Sequence, residues 1–301
     1  MFFGTSDFAV PSLQQLAAKT DVVAVVTQPD RPAGRGHKPA APPVKTAAAA
    51  LGLPVHAPLR LGPFAADLRA LGADIFVVAS YGRILPAALL ELPRSGIAFN
   101  VHPSLLPLYR GATPLQSAIR DGCQETGVTI IAMDAGMDTG DILVQERTLL
   151  DSAETYGELH DRLAKRGAEL LGTALDRLEA GTLERTPQAR LSIPPERIAA
   201  TLTRPLDKDD MTVDWSQPAA RIVDLIRAFA PAPAARAVVG GEILKILAAR
   251  PAREAEGGVT ADEGFVERAG DGRGVVLLRV TPPNRSAMSG AAYARARGAA
   301  V

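Results

Sequence analysis

The run IAFNVHPSLLPLYRGATPLQ, Ile97 to Gln116, decides how this chain is read. Ile97, Ala98, Phe99 and Val101 make a short apolar strand, and Pro103, which has no backbone donor for a ladder, ends it. Asn100 and His102 therefore sit at a strand's carboxyl end, one residue apart and on the same face. In open α/β sheets ligands bind outside those carboxyl ends, so the two polar side chains point toward a crevice. A carboxamide can donate to an oxyanion, and an imidazole can take or give a proton near neutral pH, which is the pairing that acyl transfer uses. On spacing alone the pair fits equally well a strand-end histidine beside a turn-forming asparagine. The Pro-bounded loop Ser104-Leu105-Leu106-Pro107 comes next, followed by Tyr109-Arg110-Gly111 and a helix starting near Pro114. Such a loop can line a pocket for a flat aromatic ligand.

Working outward, Met1 to Phe3 and Val22 to Thr27 read as buried strands joined through a helix around Val10 to Lys19, a βαβ unit. Gly4-Thr5-Ser6-Asp7 reads as a tight turn and a helix N-cap, with neither a dinucleotide fingerprint nor a P-loop lysine. Helical segments at 44–51 and 64–71 precede the continuous apolar strand Ile75 to Ala79, and Tyr81-Gly82-Arg83-Ile84-Leu85-Pro86 then forms a second wall of the crevice. Gly127 to Met133 alternates as a strand. Thr155 and Glu158 form a capping box that opens one helix or two over Thr155 to Ala180, with His160 on the exposed surface. This order predicts a Rossmann-like α/β domain over residues 1–187, an open and mostly parallel sheet with flanking helices. Pro194-Pro195 marks a linker over 188–203. From 204 to 301, a helix at 215–229, a hairpin turning at Gly240-Gly241 and short strands at 264–280 predict a small OB-like β-barrel, a fold that often binds oligonucleotides.

At 301 residues with 47% hydrophobic content, the chain is long and apolar enough for two such domains. A formal net charge of +0 argues against a protein that coats nucleic acid non-specifically. Local charge says more. No acidic residue lies between Asp30 and Asp67, whereas Arg31, Arg35, Lys38, Lys45 and Arg60 do, a basic patch suited to an anionic partner. The Gly and Pro content of Pro29 to Gly36 marks that part as a mobile loop. The single cysteine, Cys123, excludes a disulfide framework and reads as a packing residue in a reducing compartment. No run approaches the roughly 20 apolar residues of a membrane span, so a cytoplasmic location is expected. Asp134, Asp138 and Asp141 miss the alternate-residue spacing of a calcium loop and have no His or Cys beside them, so no metal is expected.

Asn100-x-His102 followed by SLLP, with MDAGMDTGDIL from Met133 to Leu143, resembles the formyltransferase family that uses 10-formyltetrahydrofolate. Within it, TQPDRPAGRG from Thr27 to Gly36 and the length of the chain resemble the branch that acts on methionyl-tRNA. The resemblance implies Asn100, His102 and Asp138 as catalytic residues, with Asp138 orienting and charge-stabilising the imidazole. It implies 10-formyltetrahydrofolate as formyl-donor cosubstrate, held by Ser104, Leu105, Leu106, Pro107, Ile84 and Leu85. It further implies that Arg31, Arg35, Lys38 and Lys45 contact initiator methionyl-tRNA, which is formylated for translation initiation. No membrane and no obligate protein partner are implied. Family members commonly begin a few residues before the equivalent of Met1, and they commonly carry Asn-Pro-Trp-Pro where Ala230-Pro231-Ala232-Pro233 stands here. The same motifs would serve formyl transfer to glycinamide ribonucleotide or an amino-sugar nucleotide, or a folate-dependent hydrolase. A non-catalytic RNA-binding protein would need only the barrel and the basic loop.

Overall fold

A computed structural model describes residues 1–33, 38–253, 256–260 and 264–298. In chain order its strands are β1 (Phe2–Gly4), β2 (Val25–Val26), β3 (Arg31–Ala33), β4 (Lys38–Ala40), β5 (Val55–His56), β6 (Phe76–Ala79), β7 (Ala98–His102), β8 (Glu125–Ala132), β9 (Ile142–Leu149), β10 (Ala235–Val239), β11 (Glu242–Pro251), β12 (Phe265–Arg268), β13 (Gly274–Thr281) and β14 (Met288–Ser289). Its helices are α1 (Val10–Lys19), α2 (Pro43–Ala50), α3 (Ala65–Ala70), α4 (Ala87–Leu90), α5 (Pro114–Arg120), α6 (Tyr156–Glu179), α7 (Pro195–Ala200), α8 (Ala219–Phe229) and α9 (Gly290–Ala296). They form two compact units. One contains Met1–Ala112, Thr126–Thr148 and Asp161–Thr203; the other contains Thr113–Glu125, Leu149–His160 and the chain from Arg204 onward.

The first unit is built on a seven-stranded sheet in the order β5-β2-β1-β6-β7-β8-β9, parallel from β5 to β7 and antiparallel between β7 and β8. Strands buried on both faces are apolar at consecutive positions, as Phe2 and Phe3 are in β1 and Phe76 to Ala79 are in β6. Strand β1 lies in the middle of the sheet, and strands are added first on its one side (β2, β5) and then on the other (β6, β7), so the connections at the carboxyl ends of the parallel β1 and β6 diverge and leave a crevice. Polar lacing closes the base of that crevice. Thr5 donates its N–H to Ser80 O at 3.2 Å and its hydroxyl to Tyr81 O at 2.8 Å. Ser6, expected as a capping residue, gives its hydroxyl to Ser80 Oγ at 2.7 Å instead and makes no side-chain cap bond. Over β7 and β8 runs α6, where Gly167 allows close approach: a methyl there would lie 2.8 Å from Val101 Cγ1.

Three stretches differ from their sequence-based expectation. The run from Pro29 to Gly36 is partly a ribbon, because β3 pairs antiparallel with β4 in the register Arg31 to Ala40; Gly34 to His37 lie outside the described residues. Strand β9 lies outside the sequence-based reading, since Gln145 to Arg147 is a polar run with little apolar signal, its exposed alternate positions including Gln145 and Arg147. Residues 188–203 carry α7 and are fastened to the first unit: Thr203 N–H and hydroxyl both donate to Arg110 O, at 2.8 and 3.0 Å.

The second unit has an antiparallel sheet in the order β10-β11-β13-β12, with β14 beside β13. Gly240 and Gly241, at φ 54° and 84°, turn β10 into β11 with the two left-handed residues of a primed hairpin turn. The core joins Ile222, Val223 and Ile226 of α8 to Leu244, Ile246, Val275, Leu277 and Val280. His160 corrects its expectation: it is only 8% exposed and its ring lies 5.6 Å from that of Tyr156. The reason is periodicity, since a residue next to Leu159 and three before Leu163 falls on the apolar stripe of α6. At the Ala230-Pro231-Ala232-Pro233 departure, a main-chain bond remains, Gly157 N–H to Ala230 O at 3.0 Å.

Two outcomes follow from this packing. Arg227 is 6% exposed; it pairs with Asp224 at 2.8 Å and donates to Asp151 O, Glu154 O and Ile119 O at 3.2, 3.2 and 3.4 Å. Arg227→Ala would leave a carboxylate and three carbonyl oxygens short of a donor, and chemical denaturation should show a loss of about 3–5 kcal/mol. At the start of α6, the Thr155 backbone N–H and then its hydroxyl donate to Glu158 at 2.9 and 2.7 Å, which holds the Glu158 carboxyl below the usual glutamate range. A depressed carboxyl stabilises the fold above its unfolded value, about 4.3, and the contribution disappears as pH falls through the folded value. Thr155→Ala keeps the backbone bond to Glu158 and removes only the hydroxyl, so at this exposed cap it should cost about 0.5–1 kcal/mol near pH 7, and the part of the difference carried by Glu158 should fade in acid unfolding titrations.

Candidate active site

Pro103 stops β7 just after His102, and the pleat puts Asn100 and His102 on one face at its carboxyl end. Asn100 is half-buried and His102 is 4% exposed. Asp138 comes to them from the turn that follows β8. Its backbone is left-handed, φ 55°, a conformation that costs a non-glycine residue roughly 1–3 kcal/mol and persists only where the surroundings enforce it. In that conformation the carboxylate accepts from Asn100 Nδ2 at 3.2 Å and from Gly111 N–H at 2.9 Å, and Oδ2 lies 3.6 Å from His102 Nδ1. The structure thus brings Asn100, His102 and Asp138 together.

The other ring nitrogen of His102 faces the Tyr109 carbonyl oxygen at 2.9 Å. A carbonyl can only accept, so Nε2 carries a hydrogen. Protonation can then change only at Nδ1, the nitrogen on the Asp138 side. When Nδ1 is protonated the ring is an imidazolium beside a carboxylate. Asn100 has two amide hydrogens, and one is given to Asp138; the second is available to an oxygen in the crevice.

Two residues not marked by sequence reasoning complete the site. Gln188, 5% exposed, donates from Nε2 to Asp138 O and Gly140 O, each at 2.8 Å. Its Oε1 accepts from Arg110 Nε at 3.1 Å and Nη2 at 2.6 Å. A lone glutamine in an aperiodic stretch carries no sequence signal, and the tie spans 50 residues of chain. Gly140 lets the turn lie against β8, since a methyl there would be 1.8 Å from Ala132 O. Asp134 shapes the same turn by accepting from Gly136 N–H at 3.0 Å and Thr139 Oγ1 at 2.7 Å. Among the described residues no cluster of His, Cys, Asp or Glu could hold a metal ion.

The residues expected to hold the folate divide into two kinds. Ser104, Leu106, Pro107 and Leu85 are buried, whereas Leu105 is half-buried and Ile84 is 88% exposed. Thr129 Oγ1 donates to Ser104 O at 2.7 Å, and Gln145 Nε2 donates to Leu106 O at 2.9 Å and to Thr129 Oγ1 at 2.8 Å. Leu106 packs against Ile131 and Ile142. Ile84 and Leu85 sit on the loop after β6, the strand next to β7, and Arg83 braces that loop by donating to Pro58 O and Leu59 O at 3.1 and 3.0 Å. Burial pushes the nearby Tyr81 phenol's pKa up, so it stays neutral.

Of the basic residues, Lys45 pairs with Asp30 at 2.7 Å, and Arg31 bonds Gln28 Oε1, whose amide nitrogen donates to Tyr81 O at 2.8 Å. Lys38 lies in β4, while Arg35 lies outside the described residues.

A family model described as formyl transferase matches residues 1–175, and one for the formyl transferase C-terminal domain matches residues 205–298. The methionyl-tRNA formyltransferase of Moorella thermoacetica is 43% identical over 302 residues, covering 97% of this chain and 94% of that protein. That of Xylella fastidiosa (strain M23) is 48% identical over 248 residues, 82% of this chain and 78% of that protein. Among solved structures, an N-formyltransferase from Helicobacter canadensis in complex with folinic acid and dTDP-3-aminofucose superposes with a TM-score of 0.68 at 20% identity, covering 92% of this chain and 97% of its own. HypX from Aquifex aeolicus in complex with tetrahydrofolic acid gives 0.63 at 17% identity, covering 99% of this chain and 46% of its own. These two share the fold. The matched domains and the identity carried across nearly the full length establish that the chain belongs to the methionyl-tRNA formyltransferase family.

Proposed function

We propose that this protein transfers the formyl group of 10-formyltetrahydrofolate to the α-amino group of methionine esterified to initiator tRNA. The observation that carries the chemistry is the Asp138 carboxylate bonded to Asn100 and facing His102 Nδ1. In the reaction a bond forms between the amine nitrogen and the formyl carbon, and the bond from that carbon to the folate nitrogen breaks. The amine loses one proton and the folate nitrogen gains one, so none is consumed overall. An α-amino group titrates near 8, so a useful fraction is already nucleophilic. The harder tasks are holding the tetrahedral oxyanion and protonating the leaving nitrogen.

Asn100 serves the first task with its second amide hydrogen. His102 serves the second. Since Nε2 is committed to Tyr109 O, the mobile proton resides on Nδ1, and Asp138 stabilises the ring while it is charged. In the Ser-His-Asp arrangement the carboxylate and the reacting group lie at opposite ring nitrogens; in the proposed reaction Nδ1, the nitrogen that Asp138 faces, is also the one that passes the proton. Leu105 and Ile84, whose side chains remain accessible, flank the folate, and the buried Ser104, Leu106, Pro107 and Leu85 hold the loops that receive it.

Arg31, Arg35, Lys38 and Lys45 contact the tRNA. The Lys45–Asp30 pair is partly exposed, a kind worth about 1 kcal/mol or less, so Lys45 can exchange its partner for a phosphate. On the second unit, Arg236 and Lys245 stand directly opposite each other in β10 and β11, a paired positive charge that supports a further polyanion contact. No helix among the described residues is long and apolar enough to cross a membrane. The reaction belongs in the cytoplasm, where initiator tRNA is used. The direct experiment is formyl transfer to methionyl-tRNA, run beside glycinamide ribonucleotide and an amino-sugar nucleotide; faster transfer to either small acceptor would replace the proposal.

His102→Ala should lower kcat by about 10² to 10⁴, and Asn100→Ala should raise the barrier by about 3 kcal/mol, with folate affinity retained in calorimetry. In the neutral ring, 15N spectra should show a protonated Nε2 and a bare Nδ1 for His102; the opposite tautomer would contradict the Tyr109 bond. Salt titration separates the acceptors. With about three to five phosphates neutralised, the logarithm of tRNA affinity should fall against log salt with a slope of roughly −2 to −4, and removing Arg35 and Lys38 together should flatten it by nearly two.

A further inference from the structure

We propose that Gln188 is a positioning residue for the formyl transfer reaction, fixing Asp138 in the one backbone conformation that aims its carboxylate at His102. The inference rests on the function proposed above, and it concerns a residue that lies between the two matched ranges, 1–175 and 205–298.

The hydrogen-bonding capacity of Gln188 is fully used. Its two amide hydrogens go to Asp138 O and Gly140 O, and its oxygen takes both bonds from the Arg110 fork. The orientation of the amide is unambiguous, because a guanidinium only donates and carbonyls only accept. No other side chain of this reach offers two donors and an acceptor at one end. A glutamate would turn an anion toward two carbonyl oxygens, a methionine would leave them unbonded, and an asparagine is one methylene short. The two carbonyls flank Thr139 in the turn that holds Asp138 at φ 55°. Gln188 therefore grips the strained turn on both sides.

Arg110 extends the grip to the turn from Tyr109 to Gly111. Its carbonyl accepts twice from Thr203, and Tyr109 N–H donates to Thr201 Oγ1 at 3.3 Å. Tyr109 O receives His102 Nε2, and Gly111 N–H donates to the Asp138 carboxylate. The segment 188–203 thus holds, from outside, both turns that present partners to His102 and Asp138. It works as a strap whose buckle is Gln188.

The test compares Gln188→Glu, which keeps shape and the Arg110 pairing but loses both donors, with Gln188→Met, which keeps volume and loses all four bonds. Steady-state kinetics, thermal melting and the His102 15N resonances are measured on the full-length protein. Both variants should lose about 10- to 100-fold in kcat, with KM for 10-formyltetrahydrofolate and for methionyl-tRNA within about twofold of the parent. In both, the Nδ1 resonance should move while the Nε2 resonance stays. A purely structural role would leave that nitrogen alone. Parent-level kcat in either variant would overturn the proposal, as would a kcat loss that tracks the unfolded fraction with His102 resonances unchanged. Should Gln188→Met fail to fold, Gln188→Glu decides alone. If the parent itself does not formylate methionyl-tRNA, the functional reading fails and the spectra still judge the clamp: a moved Nδ1 resonance supports it, an unmoved one overturns it.

Discussion

One carboxylate shared among three neighbours governs the site. Asp138 accepts from a strand-end amide and from a turn N–H while facing an imidazole; the amide and the imidazole stand on β7, the N–H belongs to the turn at Gly111, and the carboxylate arrives from the turn after β8. All three distances share Asp138, so a shift of its turn by an ångström would disturb every one of them. The left-handed backbone of Asp138 is the local cost of that convergence, and the surrounding bonds offset it. A sheet that reverses order between β1 and β6 and turns antiparallel after β7 makes the convergence geometrically available.

Much of this was legible in the chain. Period-two alternation ending at Pro103 places Asn100 and His102 on one face, and continuous apolar runs such as Phe76 to Ala79 announce buried parallel strands. The Thr155 and Glu158 capping box marks the start of α6, since both partners are within one turn. These features are local.

What was not legible depends on contacts between distant residues or on side-chain direction. Which nitrogen of His102 is free follows from the left-handed turn at Tyr109, φ 57°, that brings a carbonyl to Nε2. Gln188 acquires its meaning only when residues 50 positions earlier are folded beside it. His160 is polar in type and buried in place, so residue identity misleads where helical phase does not. The basic stretch shows the same limit, because a count of charges does not reveal that Lys45 already has Asp30 as a neighbour.

The loop from Ser104 to Pro107 has a consequence for ligand energetics. Thr129 and Gln145 bond its backbone from β8 and β9, and Leu106 is seated in a small core of its own. A loop already made in the free protein gives up little conformational entropy when a ligand arrives, so most of the contact energy is kept as affinity. Folate association at this loop should then have the small heat-capacity change of a rigid surface, set by the area the ligand itself covers and not by coupled folding of the protein.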